Sequence, residues 1–224
     1  MPDPKHNEHF FFEKVRDLWT GYAAEHSQEI PPLLEALERE THQKVLQPRM
    51  ISGPLQGRFL SLLSHLIHPS SILEIGTFTG YATLCLAEGL SKSGVLHTID
   101  CNEELVSLQS RFFNKSPYAH QIHQHLGNAL DILPTLEGPF DLVFIDADKV
   151  NYSFYFDLLI DKMKPGGMLI SDNVLWSGKV LESAADKDES TLALQAYNQK
   201  LKQDSRIQSV LLPLRDGLTL SRVL

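Results

Sequence analysis

Cysteine is scarce in this chain: among 224 residues only Cys85 and Cys101 carry thiols, and no C-x-x-C spacing occurs. That excludes a disulfide framework and a structural zinc knot, and two inert thiols suit a reducing, cytoplasmic setting. Also missing is any run of about 18 apolar residues, and residues 1–8 are too polar for a signal peptide, so neither a membrane span nor secretion is expected. Positive charge is in deficit. Twenty Lys and Arg against 28 Asp and Glu leave a net charge of -8, and without a basic cluster a phosphate backbone is repelled, which argues against nucleic acid as a partner. No repeat or low-complexity tract interrupts the chain. What is present, 42% hydrophobic and 21% charged residues, suits a single α/β domain spanning residues 1–224 with a full core.

Hydrophobic spacing orders the elements. From residue 10 to residue 49 apolar side chains recur at helical intervals, with Val15, Leu18 and Trp19 in one stretch and Leu33, Leu34 and Leu37 in another after Pro31-Pro32, predicting two helices. A buried helix follows through Phe59, Leu60, Leu62, Leu63 and Leu66 and ends before Pro69. Short apolar runs at 71–75, 95–99, 122–126, 140–145 and 167–171 then alternate with helical stretches, the signature of a parallel sheet covered by helices on both faces. Runs at 207–212 and 218–223 flank Asp216-Gly217 and predict a closing antiparallel hairpin. The charged stretch 182–190 reads as an exposed loop.

In such sheets ligands collect beyond the carboxyl ends of the strands, so the residues there are the ones to inspect. The first strand runs into Glu74-Ile75-Gly76-Thr77-Phe78-Thr79-Gly80-Tyr81, where glycines allow backbone to approach a ligand closely. This is not the G-x-G-x-x-G loop of a dinucleotide site, and an acidic lead residue suits a cationic amino-acid ligand. Asp100 ends the second strand, where its carboxylate can accept from both hydroxyls of a ribose. Either acid alone also reads as a surface residue or helix cap; together they read as a nucleoside clamp.

The fourth and fifth strands deliver Asp146-Ala147-Asp148-Lys149 and Asp172-Asn173 to the same edge. Adjacent strands lie about 4.8 Å apart, so Asp146 and Asp172 can share one ion. Oxygen ligands select a hard cation, Mg²⁺ first with Ca²⁺ or Mn²⁺ as alternatives. Three protein oxygens, from Asp146, Asp172 and Asn173, leave room in an octahedron for a water and two vicinal hydroxyls. The bland alternative is a pair of acids capping the helices that follow. Lys149 could reach the acceptor hydroxyl, although a lysine after a strand is ordinarily solvated. His120, His123 and His125 suggest zinc but lack a carboxylate or thiol partner nearby in sequence. Phe10-Phe11-Phe12 reads as helix packing against the core or a partner subunit.

Taken together, Glu74-Ile75-Gly76 with Thr79-Gly80-Tyr81, Ile145 to Lys149 with Asn151-Tyr152, Ser171-Asp172-Asn173 with Leu175-Trp176, and Pro213 with Asp216-Gly217 closely resemble the cation-dependent O-methyltransferases of the caffeoyl-CoA and catechol O-methyltransferase family. The resemblance covers about residues 30–224. It implies a Rossmann-like class I methyltransferase sheet and S-adenosylmethionine as cofactor, held by Met50, Ser52, Glu74, Gly76, Thr77, Tyr81, Ala82, Asp100, Ala129, Asp146 and Asp148. It further implies a divalent cation on Asp146, Asp172 and Asn173, catalysis by Lys149 as general base with Asp146, and Trp176 beside a small hydroxylated aromatic substrate. Residues 1–52 would be N-terminal helices covering the active site, residues 53–224 the cofactor-binding core, and the assembly a homodimer. Two features depart from the family. Ala82 stands where Ser or Thr usually bonds the methionine carboxylate, leaving Thr83 or backbone amides to replace it. The loop after Trp176 lacks the tyrosines that plant enzymes use for coenzyme A esters, so substrate identity does not carry over.

A sulfonium methyl is already activated, so the barrier that remains lies in orienting the acceptor oxygen and making it anionic, tasks suited to the cation. A nicotinamide-dependent oxidoreductase is the competing enzyme, disfavoured by the missing G-x-G-x-x-G. A non-catalytic binding module on the same fold would have no need of Asp146, Asp172 and Lys149 together.

Overall fold

The computed structural model describes residues 18–182 and 188–224. Val15, the Phe10-Phe11-Phe12 cluster and the middle of the 182–190 stretch lie outside them. Seven strands form one sheet in the order β3-β2-β1-β4-β5-β7-β6: β1 (Ser71–Ile75), β2 (Val95–Asp100), β3 (Ile122–Leu126), β4 (Phe140–Ile145), β5 (Met163–Asp172), β6 (Ile207–Leu212) and β7 (Leu218–Val223). The first five run parallel, and β7 pairs antiparallel with both β5 and β6. Strand order reverses between β1 and β4, which opens a crevice at their carboxyl ends.

Alternation along the strands divides the core. Ile72, Leu142, Phe144 and Ile170 face one side, against α2 (Pro32–Lys44), α3 (Gly53–Ile67), α4 (Tyr81–Ala87) and α5 (Val106–Phe113). Leu73, Ile75, Val143, Ile145 and Leu169 face the other, against α6 (Ala129–Ile132), α7 (Tyr152–Leu159) and α8 (Glu189–Gln203). Both faces are apolar because every central strand is covered twice. Helix α4 is buried along its whole length and packs on α3, where a side chain at Gly57 would strike the Tyr81 ring. Residues 18–25 form a further helix, α1. Among the described residues no helix is long and apolar enough to cross a membrane.

Three expectations need correction. Helix α3 is not buried all round: Leu62 and Leu66, one turn apart, are 58% and 74% exposed. Strand β5 begins at Met163 rather than 167, because Phe140 pairs with Met163 across a register shift ahead of the regular ladder. Of the stretch read as a loop, Glu189 and Ser190 already belong to α8, whose first turn is capped by Asp188 accepting from the Thr191 amide at 2.7 Å.

Candidate active site

Registration of the sheet assembles the site. Ile75 pairs with Ile145, and Ile145 with Ser171, so Gly76, Asp146 and Asp172 leave three adjacent strands at one level. Gly76 has φ +100, and a Cβ there would lie 1.9 Å from the Asp146 carbonyl oxygen; at Gly80 one would lie 2.4 Å from the Phe113 ring. Both glycines therefore accommodate close approach within the protein itself, of the Asp146 carbonyl at Gly76 and the Phe113 ring at Gly80.

Met50, Ser52, Gly76, Thr77, Tyr81, Ala82 and Asp146 line one cleft together with Ile51 and Phe78. Glu74 lies beneath its floor, fully buried, with Oε2 accepting from Thr83 Oγ1 and, at 2.6 Å, from Thr98 Oγ1. Thr98 is itself bonded to Thr77 of the cleft wall at 2.5 Å. Glu74 Oε1 is buried without a partner, an orphan acceptor of the kind that a cationic ligand group satisfies. Burial pushes its carboxyl up to about 8, against the two threonine hydroxyls that favour the ionised form. Thr83, one of the candidates to replace the missing hydroxyl at Ala82, donates its hydroxyl proton to Glu74.

Asp100 stands beside the cleft: its Oδ2 accepts from the Phe78 amide at 2.7 Å and its Oδ1 from the Asn102 amide at 2.9 Å. Two other expected residues lie off the cleft wall. Asp148 is exposed and accepts from Tyr155 Oη and Asn151 Nδ2, each at 2.5 Å. Ala129 is buried at the start of α6.

Asp146 joins the cleft to a second, acidic half. Asp172 is 2% exposed, with Oδ1 accepting from the Asn173 amide at 2.7 Å and Oδ2 from Gln56 Nε2 at 2.6 Å. Neither bond caps a helix, which removes the bland reading for this acid. Burial, followed by the negative charge of Asp146, pushes its carboxyl up to about 7. Asn173 adopts a left-handed backbone with φ +58, a conformation that asparagine tolerates. Lys149 is only 7% exposed, so it is not a solvated surface residue. Its Nζ donates to Asp146 Oδ1 at 3.1 Å and to Tyr152 Oη at 2.6 Å, while that phenol bonds the Asp172 carbonyl at 3.0 Å. Trp176, φ +51, packs partly buried against the core, and its Nε1 is buried without a partner.

Among the described residues no three His, Cys, Asp or Glu side chains are grouped to hold a metal. Two carboxylates and one amide form the candidate set, whose all-oxygen chemistry suits a hard divalent ion. His123 and His125 meet a residue the sequence did not single out, His97 on β2: His97 Nδ1 lies 2.9 Å from His125 Nε2, and the His97 and His123 rings stack. Burial and mutual repulsion lower the pKa of His97, and burial with repulsion from His123 lowers that of His125. His120 is not part of this contact group.

Sequence reasoning also missed Gln56, Thr98 and Arg215, and quoted Tyr152 in the family motif without giving it a role. Of these only Tyr152 carried a signal, its spacing of three from Lys149.

Comparison with known proteins matches the chain to the O-methyltransferase family over residues 24–224. It is 37% identical over 187 residues to caffeoyl-CoA O-methyltransferase 1 of Nicotiana tabacum, covering 77% of each chain. It is 32% identical over 185 residues to the catechol O-methyltransferase of Niastella koreensis, covering 79% of this chain and 83% of that one. Among solved structures, the SAH-bound methyltransferase PaMTH1 of Podospora anserina superposes with a TM-score of 0.86 at 28% identity, over 95% of this chain and 96% of the other. The nicotinamide and non-catalytic alternatives fall away, since strand order, crevice and a match over nearly the whole sequence agree that this chain belongs to the O-methyltransferase family.

Proposed function

We propose that the protein transfers a methyl group from S-adenosylmethionine to one of two vicinal hydroxyls on a small aromatic, catechol-like or hydroxycinnamoyl-type, with a divalent cation, Mg²⁺ first, held by Asp146, Asp172 and Asn173. The observation that carries this reading is the pair of carboxylates at neighbouring strand ends, one buried and neither capping a helix. The tobacco and Niastella relatives, named for caffeoyl-CoA and catechol, support the substrate class, and the SAH-bound Podospora structure supports the cofactor.

When bound, S-adenosylmethionine supplies a methyl group already activated on a sulfonium. When bound, the cation supplies Lewis acidity that lowers the pKa of an acceptor hydroxyl and fixes its position. The chain's own residues do the remaining work. Glu74, with its unpartnered Oε1, offers an acceptor for the cofactor's ammonium, whose positive charge favours the ionised carboxylate, and Asp100 offers acceptors to the ribose. Met50 and Ser52 form the N-terminal wall of the cleft, in keeping with residues 1–52 as a cover over a 53–224 core. Lys149, held between Asp146 and Tyr152, accepts the proton of the acceptor hydroxyl at Nζ. Trp176 flanks the aromatic ring. Leu62 and Leu66 on α3 offer an apolar face for a second copy of the chain, and exposed Cys101, a free thiol, fits a cytoplasmic setting.

A panel of catechols, hydroxycinnamates and single-hydroxyl phenols, assayed with labelled methyl donor and Mg²⁺, tests the reading. Vicinal diols should be methylated and single-hydroxyl phenols left untouched. Equal rates on both would defeat it.

A further inference from the structure

Arg215 sits in the turn between β6 and β7, with φ +50. Its guanidinium reaches back across the molecule to the entrance of α3. Nη1 donates to the Ser52 carbonyl and, at 3.0 Å, to Gln56 Oε1; Nη2 donates to the Ile51 carbonyl at 3.0 Å. Gln56, fully buried, in turn donates from Nε2 to Asp172 Oδ2 at 2.6 Å. The direction of this chain is chemically fixed. A guanidinium can only donate, so Gln56 Oε1 must face Arg215 and Nε2, its only donor, must face Asp172. Three acceptors in fixed positions also demand a planar fork, which a lysine ammonium does not provide.

Resting on the cation reading above, we propose that Gln56 and Arg215 form a positioning relay: Arg215 orients the Gln56 amide, the amide holds the Asp172 carboxylate in the pose that receives the cation, and the same guanidinium pins the Ile51-Ser52 wall of the cofactor cleft. Neither residue touches reacting atoms. One side chain thereby mechanically couples the two halves of the site, which meet otherwise at Asp146. Gln56 and Asp172 are 116 residues apart and Arg215 and Gln56 159, so no motif window spans the relay.

The two links predict different signatures. Gln56→Met keeps the shape and removes the donor to Asp172. Mn²⁺ affinity, read by calorimetry and paramagnetic resonance, should weaken on the order of tenfold or more, while S-adenosylmethionine affinity stays at the wild-type value and kcat falls more than KM for the cofactor changes. Arg215→Met should weaken both Mn²⁺ and S-adenosylmethionine, with Arg215→Lys intermediate. The double variant Gln56→Met with Arg215→Met should bind Mn²⁺ no more weakly than Gln56→Met alone, since a relay is not additive. Folding is checked for each variant by circular dichroism and melting, and Gln56→Leu and Arg215→Lys stand in where a methionine variant fails to fold. Wild-type Mn²⁺ affinity in folded Gln56 and Arg215 variants, or strictly additive losses, overturns the relay alone. A wild-type protein that binds no Mn²⁺ overturns the cation reading and the relay with it.

Discussion

At Glu74 the site holds a carboxyl where burial outweighs two hydroxyl donors, pushing it up to about 8 from an ordinary 4.5. Between those values the folded chain binds the proton more tightly than the unfolded chain, so ligand-free protein loses stability as pH rises through this window. Below 6.5 the lowered pKa values of His97 and His125 act in the opposite direction, and up to about 7 the raised carboxyl of Asp172 acts in the same direction as Glu74, which leaves the stretch from about 7 to 8 as the interval most specific to Glu74. Glu74→Gln should flatten the fall in melting temperature across that interval; calorimetric melts at matched ionic strength check it, and parallel slopes for variant and wild type would count against the assignment. Lys149 presents a different test. Removing the amine in Lys149→Ala should lower the methylation rate on the order of 10²- to 10⁴-fold without altering cofactor affinity, as measured by steady-state kinetics beside calorimetry. An unaltered rate would remove Lys149 from the reaction.

Among the elements, the strand-end loops set the tolerances of the site. Gly76 combines φ +100 with a Cβ position 1.9 Å from the Asp146 carbonyl oxygen, so Gly76→Ala must strain the loop and push Asp146 aside. We expect a loss of at least about 1–3 kcal/mol in stability, seen in urea melts, and a larger loss in turnover; a variant of wild-type stability and rate would show that β1 and β4 separate without cost. These elements were legible in the sequence because each of the five parallel strands is a short run that ends in or gives way to an acid or a glycine. Strands β1, β3, β4, β6 and β7 begin and end where the runs do. The early start of β5 was not legible, since Lys164, Pro165 and Gly166 look like a turn and lie in the register shift between the Phe140–Met163 and Leu142–Met168 pairs. Nor was the role of Gly80, whose free space is filled by a phenylalanine 33 residues on.

For the whole molecule, function follows from bringing a cofactor cleft and an acidic edge together at Asp146. The acids themselves were readable, because registration of parallel strands places successive strand ends side by side. The side chains behind Asp172, Gln56 and Arg215, were not, because their partners are set by tertiary packing across the sheet and not by spacing; Tyr152, three residues from Lys149, was the exception. The central claim is that this shared edge binds a divalent cation needed for methyl transfer. Its most direct test is turnover of a catechol by protein stripped with EDTA, beside calorimetric binding of S-adenosylmethionine to the same sample. Turnover should fall by orders of magnitude and return with Mg²⁺ while cofactor binding persists; unchanged turnover in EDTA would contradict the account.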